Sequence, residues 1–105
     1  MEGIRREDAG RQLLEHELRD RGLKVLTQVP LPVVYKSVEL PVGYRVDLLV
    51  QDAVVVELKT VPGLLPDHEA QLLTYLKLSG HHLGLLLNFH VPLMRDGIRR
   101  LVHRL

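Results

Sequence analysis

In the segment Val54-Val55-Val56-Glu57-Leu58-Lys59 two charged side chains interrupt a run that is otherwise apolar on successive residues. Burying an unpaired ion costs several kcal/mol even after relaxation, so charges seldom enter a strand covered on both faces without a partner or a task. Glu57 and Lys59 stand two apart, and strand alternation puts both on one face while Val56 and Leu58 take the other. The preceding apolar run, Tyr44-Arg45-Val46-Asp47-Leu48-Leu49-Val50, holds an acid in the same kind of surroundings. If only Gln51-Asp52 join the two runs, Asp47 pairs with Val56 and lies on the opposite side of the sheet from Glu57. If Gln51-Asp52-Ala53 form the loop, Val50 pairs with Val54 and Asp47 stands across from Glu57, with Cβ atoms ~4.5–5.5 Å apart. Carboxylates that close repel unless something positive lies between them, and a single lysine cannot neutralise two. Mg²⁺ satisfies that need, since it takes one or two carboxylates together with waters and phosphate oxygens. Lys59 beside such an ion would orient a water or stabilise charge on a phosphoryl oxygen. A competing account of the three residues is a structural salt-bridge cluster.

The elements that must carry these residues follow from periodicity and punctuation. From about Arg5 to Arg21, Leu13, Leu14 and Leu18 fall at helical spacing and Gly22 terminates the pattern. Residues 7, 11, 14 and 18 share a stripe, so Glu7 points roughly where Leu14 and Leu18 do; it is either a further carboxylate for the site or a first-turn acid favoured by the helix dipole. Leu23–Tyr35, with Pro30 and Pro32, reads as an irregular edge strand. Gly43–Val50 and Ala53–Thr60 read as a hairpin, the second strand central. After the loop marked by Pro62, Gly63 and Pro66, Asp67 is the expected N-cap of a helix ending near Ser79-Gly80. His82–Phe89 is a buried strand, and the tail Gly97–Val102 fits either a short strand or a helical turn. The order α-β-β-β-α-β predicts an α/β domain, a mixed β-sheet flanked by helices.

Asp47, a gap of nine residues, then Glu57-Leu58-Lys59 on a hairpin between two helices resembles the D-(x)n-E-x-K core of the PD-(D/E)XK nuclease superfamily. More narrowly, Gln28-Val29-Pro30-Leu31-Pro32-Val33-Val34-Tyr35, Gly43 to Val50, Val56 to Lys59, Ala70-Gln71-Leu72-Leu73-Thr74-Tyr75-Leu76 and Gly84-Leu85-Leu86-Leu87-Asn88-Phe89 resemble the GxxExxY proteins, in order and at fitting distances. In the eponymous first motif only Glu7 keeps its place; Ile4 and Gly10 stand where Gly and Tyr are expected. The resemblance implies a restriction-endonuclease-like core and a Mg²⁺-dependent site, with Mn²⁺ as a substitute. Asp47 and Glu57 would be metal ligands, the Leu58 carbonyl a third, Glu7 a further one, and Lys59 would hold the attacking water. Gln71 and Tyr75 match a Q-x-x-x-Y element that, in related nucleases, lines the site and contacts substrate or catalytic groups. They share a helical stripe with His68, which otherwise reads as a solvated helix-start residue; the same spacing also suits a helix-to-sheet hydrogen bond and core packing.

The whole chain sets bounds on these expectations. Its 105 residues suit one domain spanning 1–105, with 46% hydrophobic and 26% charged residues, which excludes a disordered or collagen-like chain. A net charge of +1 advertises no polyanionic partner over the molecule as a whole, so a nucleic-acid surface must be local. The arginines at 5, 6 and 11 and at 95, 99, 100 and 104, with His103, would contact phosphates rather than bases, or simply be solvated; His81 and His82 read as loop surface. Cysteine is absent, removing thiolate chemistry and disulfides. No stretch is apolar enough to span a bilayer and residues 1–7 lack a secretory apolar region, giving a cytoplasmic expectation without membrane association. The functional expectation is a metal-dependent phosphodiester hydrolase acting on nucleic acid, DNA ahead of RNA, with recognition supplied by a homodimer or a partner protein. The alternative is an inactive nuclease-fold module that binds nucleic acid or a protein.

Overall fold

The computed structural model describes residues 6–30, 33–40, 45–90 and 94–104. Helix α1 (Arg6–Asp20) is followed by strand β1 (Val25–Pro30), a small hairpin of β2 (Val33–Tyr35) and β3 (Val38–Leu40), then β4 (Arg45–Val50) and β5 (Val54–Lys59). Helix α2 (Pro66–Ser79), β6 (Leu83–Asn88), a 3₁₀ turn (Met94–Gly97) and β7 (Ile98–Val102) complete the chain. Five strands form one mixed sheet in the order β1-β4-β5-β6-β7, and β2 and β3 pair by themselves. The β5–β6 pair is parallel and its neighbours are antiparallel. This is the α/β fold expected, a mixed sheet with helices on its faces.

Each face of the sheet buries its own cluster. On one side Leu49, Val55 and Leu86 pack under Leu72, Tyr75 and Leu76 of α2. On the other, Leu48, Val50, Val56, Leu58 and Leu87 pack under Leu14 and Leu18 of α1. The continuous apolar run of β5 follows from this double cover, because both sets of alternating side chains leave water. The α2 connection between parallel β5 and β6 brings the start of α2 back over the end of β5 that carries Lys59.

Three details differ from the sequence expectations. The segment read as one irregular edge strand divides into β1, at the sheet edge, and β2, which belongs to the separate hairpin. Pro32, Gly43 and Tyr44 lie outside the described residues. The α2 N-cap is Leu65, with Pro66 opening the helix and Asp67 in its first turn. Proline at the first helical position loses no hydrogen bond, and the His68 side chain does the capping: its Nδ1 accepts the Leu65 N–H at 3.0 Å. The tail forms the turn and the strand in succession, β7 pairing with β6 at the second edge.

Candidate active site

The β4–β5 hairpin pairs Val50 with Val54, Leu49 with Val55 and Leu48 with Val56, the register of the three-residue loop Gln51-Asp52-Ala53. Extending that register by one step sets Asp47 across from Glu57. The paired ladder stops short of this step, and the Asp47 side chain takes over: its Oδ2 accepts the Leu58 N–H at 2.8 Å. A carboxylate of β4 thus occupies the place of a backbone acceptor beside the Glu57-Leu58-Lys59 segment. On its other side Asp47 lies in register with Gln28 of β1, between the pairs Thr27–Leu48 and Val29–Val46. Gln28 has a left-handed backbone (φ 51°), a conformation that costs a non-glycine residue ~1–2 kcal/mol. Alternation breaks at this rung: Val29 and Val46 join the α2-side cluster while Val25 and Leu48 join the α1-side one. Backbone strain therefore sits beside the acid that the chemistry would use.

Glu57 and Lys59 follow Val55 along the α2 face of β5. Glu57 is buried, with 8% exposure, and Lys59 is half-buried. The register with β6 pairs Glu57 with Leu86 and Lys59 with Asn88. Beyond it, the Phe89 N–H donates to the Lys59 carbonyl at 2.9 Å. In an extended strand the N–H and C=O of one residue leave on the same edge, and successive residues alternate. The Lys59 carbonyl goes to β6, and the Leu58 carbonyl accordingly points to the β4 edge, where Asp47 meets the Leu58 N–H.

Asn88 was not singled out in the sequence reading, and it is the most heavily bonded side chain of this region. At 1% exposure it accepts the N–H groups of Val61 and His90 on Oδ1, both at 3.1 Å, and donates Nδ2 to the Val61 carbonyl at 2.8 Å. It therefore holds both backbone groups of Val61 as a neighbouring strand would, two residues after Lys59. The signal available in the sequence was a lone amide closing the apolar run Leu85-Leu86-Leu87.

The remaining expected residues are placed unequally. Tyr75 is buried in the α2-side cluster with Leu49 and Val55, whereas Gln71 lies exposed on the helix surface. Helix α2 turns Leu72, Tyr75 and Leu76 inward, which leaves Gln71 at the boundary. Glu7 is half-buried in the first turn of α1, the helix that covers the opposite face of the sheet. Its helix approaches the same end of the sheet, since Gly10 lies against the Phe89 ring. Among the described residues no three His, Asp or Glu side chains gather as a metal cage, so Glu7 does not close a set with Asp47 and Glu57. Ser79 Oγ and His81 Nδ1 lie 3.1 Å apart, and His82 Nδ1 lies 3.0 Å from the His103 carbonyl, at the other end of β6.

A mixed sheet that presents an acid on β4 against a Glu-x-Lys segment on β5 is the arrangement of a nuclease-like fold. The family model of the PD-(D/E)XK nuclease superfamily matches residues 5–101, and the chain belongs to that superfamily. No curated protein and no solved structure matches the chain. Among the described residues no helix is long and apolar enough to cross a membrane.

Proposed function

We propose that this chain is a divalent-metal-dependent nuclease that hydrolyses phosphodiester bonds of nucleic acid, with DNA the first substrate to test. The observation that carries the reading is the Asp47–Leu58 contact, which draws the acid of β4 against the strand that bears Glu57 and Lys59. The donor set suits a hard cation: two carboxylates and a strand carbonyl are the oxygen ligands Mg²⁺ and Mn²⁺ prefer, with water completing the shell. Asp47, Glu57 and the Leu58 carbonyl would hold the ion; Glu7 would join them only by a shift of α1. When bound, the ion supplies Lewis acidity and a more acidic water.

Lys59 donates to the attacking water and offsets charge growing on the phosphoryl oxygens. The water oxygen bonds to phosphorus as the bond to the leaving sugar oxygen breaks; the water gives up its proton to solvent, and the leaving oxygen takes one from solvent. Gln71 meets the substrate from the rim of α2, and Tyr75 supports that helix from beneath. A chain this small leaves little surface for sequence selection, which would fall to a second copy or a partner protein.

Calorimetric titration with Mn²⁺ or Mg²⁺, then incubation with single- and double-stranded DNA and RNA, tests the proposal. Wild type should bind metal and cut, and Asp47→Ala and Glu57→Ala should do neither. Lys59→Ala should retain the metal and lose ~10²–10⁴-fold in cleavage rate. Metal binding unaltered by the Asp47 and Glu57 variants would sink the assignment. Nucleic-acid binding with no cleavage of any substrate would favour the inactive module.

A further inference from the structure

Strand β7 carries adjacent arginines, and alternation sends them to opposite faces. Leu101 packs against the α2-side cluster, so Arg99, two residues before it, faces the α2 side with Glu57 and Lys59. Arg100 falls with Ile98 and Val102 on the other face. The ladders add a second coincidence: Glu57 pairs with Leu86 and Leu86 with Arg99, so the three form one rung across β5, β6 and β7. Leu86 is buried beneath α2, and Glu57 and Arg99 flank it, one strand to each side. At ~4.7–4.9 Å per strand, their Cα atoms are ~10 Å apart on one surface.

The other C-terminal charges do not share this position. The His103 N–H donates to the His82 carbonyl at 2.7 Å, which puts His103 and Arg104 at the start of β6, away from Lys59. The side chain of Arg95 lies outside the described set. Among the described residues Arg99 faces Glu69 of the first turn of α2, at 3.9 Å, with the two side chains 49% and 40% exposed. An ion pair that long and that exposed contributes ~0–1 kcal/mol, and a phosphodiester, whose two non-bridging oxygens share one negative charge and accept from a guanidinium in bidentate fashion, can displace it.

We propose that Arg99 binds a phosphate of the nucleic-acid strand next to the one cleaved, with Glu69 holding the guanidinium over the site until the strand arrives. The inference rests on the nuclease reading and adds a direction to it: the strand passes from the Asp47–Glu57 pair around the first turn of α2, where Arg99 meets Glu69, toward β7. Phosphate contacts of this kind fix register and carry no sequence information.

Binding of a labelled DNA duplex, followed by fluorescence anisotropy over a salt series in EDTA, separates the contact from cleavage. Arg99→Ala should weaken binding roughly tenfold at low salt and reduce the slope of log K against log salt by about one. Arg99→Lys should restore most of both, and Arg100→Ala should match wild type. With metal present, Arg99→Ala should raise KM and leave kcat near its wild-type value. Arg99→Gln, with a melting temperature measured alongside, replaces the alanine variant if that one unfolds. Wild-type affinity and slope in the Arg99 variants, or equal losses in Arg100→Ala, would overturn the proposal while metal-dependent cleavage survived. A wild-type chain that neither binds nor cuts DNA or RNA would remove it together with the nuclease reading.

Discussion

Asp47 has two tasks that one substitution separates. Its Oδ2 accepts the Leu58 N–H, which ties β4 to β5 where the backbone ladder ends, and its charge is what a cation would need. Asn keeps an acceptor oxygen in the same place and removes the charge. Asp47→Asn should therefore unfold in urea within about 1 kcal/mol of wild type yet lose Mn²⁺ binding in calorimetry, whereas Asp47→Ala should lose ~1–3 kcal/mol as well, because the Leu58 N–H loses its partner. Equal stability of the Asn and Ala variants would mean that the contact does no structural work. The acid itself was legible in the sequence, as a charge embedded in an apolar run, and so was the choice between two registers. The manner of its engagement was not, since a side chain replacing a backbone acceptor leaves no trace in hydrophobic alternation. Nor was the strain at Gln28, whose left-handed backbone is a demand of the paired strands and not a preference of glutamine.

Two contacts between elements decide how firmly the site is held. Asn88 of β6 clamps Val61, the residue that leads from β5 toward α2, and so steadies both Lys59 and the start of α2. Asn88→Ala removes the partner of three backbone groups and should cost ~2–3 kcal/mol in chemical denaturation. Hydrogen exchange at the Val61 amide should accelerate more than at Val55, near the start of β5; uniform acceleration would show that the clamp is not local. Helix α1 meets the end of β6 through Gly10, where an added Cβ would lie 2.7 Å from the Phe89 ring. The ring occupies the space a side chain would need, which accounts physically for glycine at this position. Gly10→Ala gains ~1 kcal/mol of helix propensity and loses ~1–3 kcal/mol to overpacking. A net loss of up to about 2 kcal/mol is the expected outcome in urea, recovered when Phe89→Leu is added. A stabilised single variant would show that the ring moves aside freely. Neither contact could be read from the sequence, because each joins residues 27 or more positions apart with no periodic signature.

At the scale of the whole molecule, the helices and the long strands were legible because their apolar spacing matches their cover: α1 and α2 each bury one stripe, and β5 is apolar on both faces. The β2–β3 hairpin was not, since strands of three residues are too short to show a period and Pro32 obscures their start. The tail was ambiguous for the same reason, and β7 is settled only by its pairing with β6, which no local pattern encodes. This architecture makes the site a junction. Asp47 belongs to the β1–β4 half of the sheet, Glu57 and Lys59 to the central strand, and the chain that follows them feeds α2 and β6. An ion held by Asp47 and Glu57 would bind the folded chain and not the unfolded one, so its affinity adds to global stability. At a free Mn²⁺ concentration of ~100 times Kd the gain is ~2.7 kcal/mol, which for a domain this small raises the melting temperature by roughly 10–15 °C. The same titration on Asp47→Asn and Glu57→Gln should give no shift, and Ca²⁺ or Mg²⁺ at the same free concentration should give shifts that vary with the logarithm of their affinities. Scanning calorimetry over a Mn²⁺ series checks this: a melting temperature that rises equally in wild type and in both carboxylate variants would place the ion elsewhere on the molecule, and one that does not rise at all would leave the two acids to structure alone.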